Sequence, residues 1–192
     1  MSIARPVCSH HRSKPSELPE LLVLSDVVVS APAVVLRAKQ HPIHIRQTLA
    51  ELTRTHTDYL ILASMIDPIS DGVHLAAQDC FLKPYEGILG RSCHDLNEVR
   101  HAELEGVDYV TLSPIFASDS KPDYGPVLGL SELSRIAQET HVPIYALGGV
   151  DAGRVAACRA AGAAGVAVQG AIARSSHPET TIANLLTEWQ SG

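Results

Sequence analysis

Three apolar segments in the second half of the chain restrict its possible folds more than any other feature. Each has the pattern of a buried strand followed by small, hydroxyl or cationic residues. The three are Tyr109–Phe116, which runs on through residues 117–120 to Lys121, Pro143–Val150 and Gly165–Ile172. Strands buried on both faces are typical of parallel sheets. In a parallel barrel the carboxyl ends of the strands form the ligand site. Small and cationic residues at those ends predict a phosphate site.

Short apolar runs alternate with helical patterns along almost the whole chain. We predict eight strands, at 21–24, 34–37, 59–63, 72–75, 87–90, 109–113, 144–147 and 165–168. The clearest helix signal is a capping box of Asp95 and Glu98 with Gly106 at the helix end. Strand–helix alternation implies parallel strands with right-handed crossovers. The fold class is therefore α/β; we expect a (β/α)8 barrel, and an open doubly wound sheet fits the same number of strands.

The first half of the predicted barrel has little room for helices. Only residues 27–32 separate the first two strands, and residues 65–71 separate the third and fourth. A closed barrel usually has at least about 200 residues, so a chain of 192 residues predicts reduced helices in the N-terminal half. Uncovered strands expose apolar surface, which predicts a homo-oligomer. We assign residues 20–192 to one barrel domain and residues 1–19 to a loose N-terminal segment.

Composition and charge argue against several classes of protein. The formal net charge of −6 argues against nucleic acid as a partner, because binding to phosphate backbones needs a dense basic surface. No segment approaches the run of about 20 apolar residues that a membrane-spanning helix needs, and residues 1–19 contain no apolar run typical of a secretory signal. The four cysteines form no C-x-x-C pair, which indicates reduced thiols in a cytoplasmic protein.

Two glycine-containing turns are the candidate phosphate site. Gly148 and Gly149 follow the seventh strand and precede a helix that Asp151 opens, so backbone amides there can approach a ligand closely. Gln169 and Gly170 follow the eighth strand and would supply the neighbouring wall. A Gly-Gly pair is also common in a tight strand-to-helix turn that binds nothing.

Two further groups offer positive charge or hydroxyls. Ser118, Ser120 and Lys121 lie in a long loop after the sixth strand, where they could donate to a diphosphate. Arg37 and Lys39 end the second strand at a spacing of two, which places them on one face. Solvated loops and outward-facing basic pairs have the same composition, so both groups also fit a purely surface position.

Asp79 and His94 are candidates for metal binding and proton transfer. Asp79 follows the fourth strand and could hold Mg²⁺ by one carboxylate, which suits a metal bound mainly by substrate phosphates, or it could cap a helix. His94 follows the fifth strand, where an imidazole could move a proton near neutral pH or be structural beside a helix cap. The spacing of the ten histidines argues against a zinc site.

Taken together, these motifs resemble those of the thiamine phosphate synthase/TenI family. That family has G-V-H-L-x-x-x-D and G-x-S-x-H-S-L elements, a D-Y-V strand with a P-x-F-x-T-x-T-K loop, and a Gly-Gly turn before the last strand. The similar segments of this chain are, in the same order, residues 72–79, 90–96, 108–121 and 148–149. Residues 166–168 match the last strand itself. The resemblance covers about residues 21–175 and is strongest after residue 72.

The resemblance implies a (β/α)8 TIM barrel and a defined reaction. The synthases join a hydroxymethylpyrimidine diphosphate to a thiazole phosphate: Mg²⁺ helps the diphosphate leave, and the thiazole nitrogen captures a carbocation-like pyrimidine. By the resemblance, Arg37 and Lys39 match the basic pair after the second strand, Asp79 matches one Mg²⁺ ligand, and Ser118, Ser120 and Lys121 match the hydroxyls and lysine of the diphosphate loop. Gly149, Gln169 and Gly170 fall where the family binds the thiazole phosphate, and Gly148 is a further candidate for phosphate binding. The candidates for catalysis are Lys121, Ser92 and His94.

Two positions differ from the family pattern. The synthases end the third strand in Asn-Asp, whose Asp is the other Mg²⁺ ligand, whereas this chain has Ala63-Ser64. The TenI-type thiazole tautomerases have a histidine near the end of the sixth strand, where this chain has Pro114. Synthase chemistry is the first expectation because Asp79 and the hydroxyl-lysine loop are present. A thiazole tautomerase and a non-catalytic phosphate-binding or regulatory protein are the alternatives.

Overall fold

The computed structural model describes residues 18–80, 85–118 and 126–192. Its eight parallel strands close into a barrel in chain order. The strands are β1 (Leu21–Ser25), β2 (Ala31–Leu36), β3 (Thr57–Ala63), β4 (Gly72–Leu75), β5 (Ile88–Cys93), β6 (Tyr109–Leu112), β7 (Ile144–Leu147) and β8 (Gly165–Val168). β1 also pairs with β8, from Leu21 opposite Val166 to Val23 opposite Val168. This closure confirms the predicted barrel and excludes the open sheet.

The helices are distributed unevenly around the barrel. The described residues form α1 (Ile43–Arg54), α2 (Leu96–Glu105), α3 (Gly129–Glu139), α4 (Ala152–Ala160), α5 (Gly170–Ala173) and α6 (Pro178–Ser191). The connections 26–30 and 64–71 contain no helix, which confirms the reduced helices predicted for the N-terminal half. Among the described helices, none is long and apolar enough to cross a membrane. Most of the predicted loose segment at 1–19 lies outside the described residues.

The second strand is longer than the sequence predicts. β2 begins at Ala31 and contains Pro32, which lacks the N–H that a strand interior normally donates. Pairing with β1 begins only at Ala33, so the proline interrupts no ladder bond to that neighbour. The strand can therefore start before the proline, and the connection from β1 is even shorter than expected.

The fifth strand extends to Cys93, beyond its predicted end at Gly90, because its polar side chains find partners inside the fold. Arg91 Nε lies 2.7 Å from Glu105 Oε2 of α2. On the opposite face of the strand, Ser92 Oγ lies 2.9 Å from His74 Nε2 of β4. The prediction that Ser92 follows the strand is therefore wrong, and its hydroxyl points into the barrel.

Two tyrosines fill the interior of the barrel. Tyr109 and Tyr145 are buried, with ring centroids 5.5 Å apart in an edge-to-face arrangement. A Cβ on Gly90 would lie 2.1 Å from Tyr109 Cζ, so the neighbouring strand has space for this ring only because it carries glycine there. Tyr145 Oη donates to Pro19 O at 3.0 Å, near the start of β1. These rings fill the barrel towards the amino ends of its strands and leave the carboxyl ends to a ligand.

Candidate functional site

One cavity of about 790 Å³ opens at the carboxyl ends of the strands, a volume typical of small-molecule sites. The predicted site residues that line it are Arg37, Lys39, Ser92, His94, Ser118, Gly148, Gly149, Gln169 and Gly170. Ser120 and Lys121 lie outside the described residues. Asp79 is not among the described lining residues. It lies behind Lys39, and the Ser64 hydroxyl hydrogen-bonds to both side chains. The structure thus gathers most of the predicted site in one place.

Arg37 and Lys39 form a surface that we call the basic wall. Both line the cavity from a turn and not from one face of a strand, because β2 ends at Leu36. Ala38 between them has a φ of 43°, in the left-handed region that few non-glycine residues adopt. Its amide donates to Asp26 Oδ1 at 3.0 Å, and the same oxygen lies 3.9 Å from Arg37 Nε. Asp26 therefore stabilises the turn that presents both cations.

A second carboxylate lies behind the basic wall. Lys39 Nζ donates to Ser64 Oγ at 2.9 Å, and Ser64 Oγ donates to Asp79 Oδ2. The same Oδ2 accepts from Ala76 N at 2.9 Å. Partial burial acts to raise the pKa of Asp79, but the hydrogen bonds from Ser64 and Ala76 and the nearby lysine charge outweigh it, so the pKa lies below its ordinary value of 3.8. Asp79 is ionised at neutral pH.

Asp79 fits a magnesium ion that takes most of its ligands from a substrate. Both hydrogen bonds that the described residues donate to this carboxylate go to Oδ2, which leaves Oδ1 for a metal. Within the described ranges, no three His, Cys, Asp or Glu side chains group together as a metal cage. Mg²⁺ commonly binds one or two carboxylates together with substrate phosphates and water. The carboxylate therefore suits an ion that arrives with a diphosphate.

Gly148 and Gly149, between β7 and α4, form the first part of a surface that we call the glycine wall. Their φ angles are 94° and 64°, in the left-handed region. A Cβ on Gly149 would lie 2.4 Å from Ala117 O and 2.8 Å from Phe116 Cβ. Only glycine lets this turn approach the loop after β6, where Phe116 N donates to Gly148 O at 3.0 Å. Backbone conformation, and not a side chain, shapes this part of the cavity.

Gln169 and Gly170, between β8 and α5, complete the glycine wall. Gln169 has φ −130° and ψ −65° and turns the chain from the strand into α5, where Ala173 N donates to its carbonyl at 2.9 Å. Because β7 and β8 are paired neighbours, the two turns lie side by side at the cavity. Their position fits a phosphate site, and phosphate binding at these turns stays a prediction.

Two arginines that the sequence analysis did not select also line the cavity. Arg154, in the first turn of α4, lies over the Phe116 ring at 4.9 Å and donates to Gly149 O. Arg174 follows α5. Each stands about one helical turn after a glycine turn, which is the sequence signal that identifies them. With the basic wall they give the described part of the lining four cationic side chains against two carboxylates, Glu98 and Asp151, in a chain of net charge −6. This local excess of positive charge favours an anionic ligand.

A buried histidine forms part of the cavity lining inside the barrel. His74 Nδ1 lies 2.9 Å from Tyr109 Oη, and its Nε2 lies 2.9 Å from Ser92 Oγ. Burial lowers the pKa of His74 to about 3, and the charges of Lys39 and Arg91 act in the same direction. The imidazole is therefore neutral at physiological pH, with a hydroxyl partner for each ring nitrogen. It can orient the Ser92 hydroxyl without adding charge to the cavity.

His94 lies in the cavity beside the start of α2. Its Nδ1 is 2.8 Å from Ser113 O, and its amide donates to Glu98 Oε2 at 2.7 Å. Asp95 Oδ1 accepts from Glu98 N at 2.9 Å, as the predicted helix cap requires, but the Glu98 carboxylate accepts from the amide of His94 and not from that of Asp95, so only half of the capping box forms. Gly106 ends the helix with a φ of 70°. These bonds hold His94 in place, and its role in proton transfer stays a prediction.

A model of the thiamine monophosphate synthase family matches residues 30–172. The matched residues run from just before β2 into α5 and include both the basic wall and the glycine wall. The chain belongs to the thiamine monophosphate synthase family. The resemblance drawn from the motifs is thereby confirmed.

Relatives of known sequence carry the synthase name. A thiamine-phosphate synthase of Parasynechococcus marenigrum (strain WH8102) is 37% identical over 151 residues, covering 73% of this chain and 43% of that protein. The chain therefore spans less than half the length of this relative. A Geobacter sulfurreducens protein provisionally named a thiamine-phosphate synthase is 33% identical over 167 residues, covering 80% of this chain and 78% of that protein.

Solved structures share the same barrel. A thiamine phosphate pyrophosphorylase from Pyrococcus furiosus superposes with a TM-score of 0.74 at 23% identity, covering 91% of this chain and 96% of that one. A thiamine phosphate pyrophosphorylase from Bacteroides thetaiotaomicron gives a TM-score of 0.62 at 18% identity, covering 88% and 93%. At these identities the structural likeness establishes the fold alone.

Proposed function

We propose that this chain joins a hydroxymethylpyrimidine diphosphate to a thiazole phosphate, which yields thiamine phosphate and releases diphosphate. The observation that carries the proposal is that one cavity has two separate surfaces suited to anions, the basic wall after β2 and the glycine wall after β7 and β8. A reaction between two phosphorylated substrates needs both. Membership of the family and the synthase names of the relatives support the same activity.

The basic wall is the proposed site of the diphosphate. Arg37 and Lys39 would bind its oxygens, with Ser118 from the opposite loop and with Ser120 and Lys121 as the resemblance implies. As the carbon–oxygen bond to the pyrimidine methylene breaks, negative charge accumulates on the leaving diphosphate. Fixed cations that meet this charge lower the barrier because the charge is larger in the transition state than in the substrate.

The glycine wall is the proposed site of the thiazole phosphate. The amides of Gly149 and Gly170 would donate to the phosphate, and Arg154 lies close enough to the first turn to add a charge. The neutral His74 and the Ser92 hydroxyl suit the uncharged pyrimidine ring in the barrel mouth. This arrangement directs the thiazole nitrogen at the methylene carbon, where the new carbon–nitrogen bond forms. His94 is the proposed donor of the proton that the departing diphosphate takes up.

Asp79 is the proposed ligand of one Mg²⁺ that enters with the diphosphate. When bound, the ion would neutralise charge on the departing diphosphate. Because Ser64 stands where the family has a second carboxylate, the protein contributes fewer charges to this ion, and we expect turnover to require a high Mg²⁺ concentration.

The direct test mixes the protein with both substrates and Mg²⁺ and measures thiamine phosphate by mass spectrometry. Lys121→Ala and Asp79→Asn should each abolish turnover while thiazole phosphate still binds. If no Mg²⁺ concentration gives product and thiazole phosphate nevertheless binds tightly, the chain is a non-catalytic binding protein.

A tautomerase finds no support at Pro114, which lines the cavity without a titratable group.

We further propose that copies of the chain associate through the helix-poor half of the barrel. Val27 and Ile66, in the helix-free connections after β1 and β3, are 65% and 62% exposed. Burial of such side chains between copies is favourable at about 25 cal/mol per Å². Sedimentation velocity at micromolar concentration should show a dimer or larger species, and Val27→Asp should shift it towards monomer. A wild-type monomer would contradict the proposal.

A further inference from the structure

A hydrogen-bonded chain of three side chains connects the cavity to a carboxylate outside it. Lys39 Nζ, which lines the cavity, donates to Ser64 Oγ at 2.9 Å, and Ser64 Oγ donates onward to Asp79 Oδ2. The three residues follow β2, β3 and β4, which are successive strands of the barrel. The hydroxyl therefore connects the cation and the carboxylate across two strand boundaries.

Bonds to neighbouring parts of the barrel fix the hydroxyl and the carboxylate of this chain. Ser64 has a φ of 50°, in the left-handed region, and its amide donates to His74 O of β4 at 2.9 Å. Asp79 is fixed through Ala76 N at 2.9 Å on its side chain and through Arg91 Nη2 at 3.0 Å on its carbonyl. Left-handed backbone at a non-glycine residue costs free energy and commonly marks a functional position.

The hydroxyl does what a carboxylate at the same position cannot do. Ser64 accepts from the lysine and donates to Asp79 at the same time, because a hydroxyl carries both a proton and lone pairs. A second carboxylate there would face Asp79 with like charge, and the pair would need a bound cation between them. With Ser64 in place, the ammonium of Lys39 already supplies that positive charge.

We propose that Ser64 is a positioning residue that holds the Lys39 ammonium at the cavity, so that the diphosphate end of the substrate binds without a divalent cation. The identity of this ligand rests on the proposed function. A free lysine side chain loses rotamer freedom when it binds an anion, and this loss weakens binding. The chain from Asp79 through Ser64 removes that cost before the ligand arrives. With the lysine fixed in this way, a Mg²⁺ ion held by Asp79 would be needed for the departure of the diphosphate more than for its binding.

The test measures pyrophosphate binding by isothermal titration calorimetry in EDTA. Wild type should bind without metal. Ser64→Gly removes the hydroxyl and also relieves the left-handed backbone, so the fold should be kept while affinity falls about fivefold. Ser64→Asn tolerates the same φ and restores an acceptor for the lysine, so it should recover most of the lost affinity.

Two further variants separate positioning from a general structural effect. In a Lys39→Met background, Ser64→Gly should cause no additional loss of pyrophosphate affinity, because the hydroxyl then has no ammonium to position. Ser64→Asp should weaken pyrophosphate binding in EDTA more than Ser64→Gly does, and added Mg²⁺ should restore it. Inorganic phosphate binding at the glycine wall should be unchanged in all of these variants.

Several outcomes would overturn this inference. They are a wild type that binds pyrophosphate only with Mg²⁺, a Ser64→Gly variant with wild-type affinity in EDTA, and an equal effect of Ser64→Gly with and without Lys39. If wild type binds no pyrophosphate under either condition, the proposed diphosphate site fails together with the role of Ser64. If it binds in EDTA as expected and no thiamine phosphate forms, only the proposed reaction fails.

Discussion

The two halves of the barrel present their candidate anion-binding groups by different physical means. In the half from β1 to β4, the connections 26–30 and 64–71 are short and α1 is the single described helix. The basic wall there consists of side chains fixed by the carboxylates of Asp26 and, through Ser64, Asp79. In the half from β5 to β8, a helix follows every strand, and the glycine wall consists of backbone turns. Both walls lie between a strand and the helix that follows it. The turn from β2 to α1 carries charged side chains, whereas the glycines after β7 and β8 let the backbone itself approach a ligand.

The largest effect should come from adding one methyl group to the glycine wall. Gly149→Ala places a Cβ 2.4 Å from Ala117 O at a φ of 64°. Overpacking and left-handed backbone together should cost about 2–5 kcal/mol of unfolding free energy, and thiazole phosphate binding should be lost. Urea unfolding and calorimetry measure the two effects.

The matched control adds the same methyl one turn later. A Cβ on Gly153 of α4 would meet only Asp151 Oδ1, at 3.5 Å, and alanine is the better helix former. Gly153→Ala should keep or raise stability and keep binding. If the two variants behave alike, close backbone approach at Gly149 is not what builds the glycine wall.

Removing a charge from the basic wall should weaken the binding of pyrophosphate and not that of thiazole phosphate. Arg37→Gln should weaken pyrophosphate binding by about 10- to 100-fold, the usual value of a hydrogen bond to a charged group. Its remaining affinity should depend less on ionic strength. Thiazole phosphate binding should be unaffected, since the glycine wall lies beyond β1 in the barrel order.

Arg100 of α2 is the control for this prediction, because it pairs with Glu139 and is not among the described residues of the cavity lining. Arg100→Gln should leave both affinities unchanged. If Arg37→Gln weakened the binding of pyrophosphate and of thiazole phosphate equally, the two walls would form one site.

His74 lies where the two halves meet, between Ser92 of β5 and Tyr109 of β6, and it should make stability depend on pH. Its pKa is about 3 in the fold and 6.5 ordinarily, so between these values the unfolded chain binds the extra proton. The contribution of neutral His74 to the free energy of unfolding is fully present above about pH 6.5. It is lost on acidification at up to about 1.4 kcal/mol per pH unit.

Urea unfolding of wild type and His74→Gln between pH 7 and pH 4 measures this effect. The variant should be less stable at pH 7 and show a shallower decline with acid. Asp79, whose pKa is also lowered, contributes to both proteins, so the difference between them isolates the histidine. If the free energies of unfolding of the two proteins fell in parallel with pH, His74 would not be held neutral by burial.

The smallest effect should come from Arg154. Its side chain is 45% exposed and already contacts Gly149 O and the Phe116 ring, so its charge is partly screened. Arg154→Gln should weaken thiazole phosphate binding about threefold at low salt and less at high salt. Arg135→Gln on α3 is the control, and a salt-independent loss would contradict a direct charge contact.

Much of the site could be predicted because its signals are local in the sequence. Gly148-Gly149 ends a strand and opens a helix, and Arg37 and Lys39 end another strand, so the barrel topology alone brings these groups to one rim. Ser92 shows the limit of local signals. Its neighbours suggested a loop, but its hydroxyl is satisfied by His74, which lies 18 positions away in the sequence.

The sequence by itself determined the number and order of the strands, the helix-poor first half and the glycine turns, because apolar periodicity, connection length and glycine content are properties of neighbouring residues. Only the tertiary structure decided which side chains meet. Lys39 reaches Ser64 across 25 positions, Ser64 reaches Asp79 across 15, and His74 reaches Tyr109 across 35. These contacts depend on the register between paired strands and on where each turn points its side chain, and no local pattern encodes either.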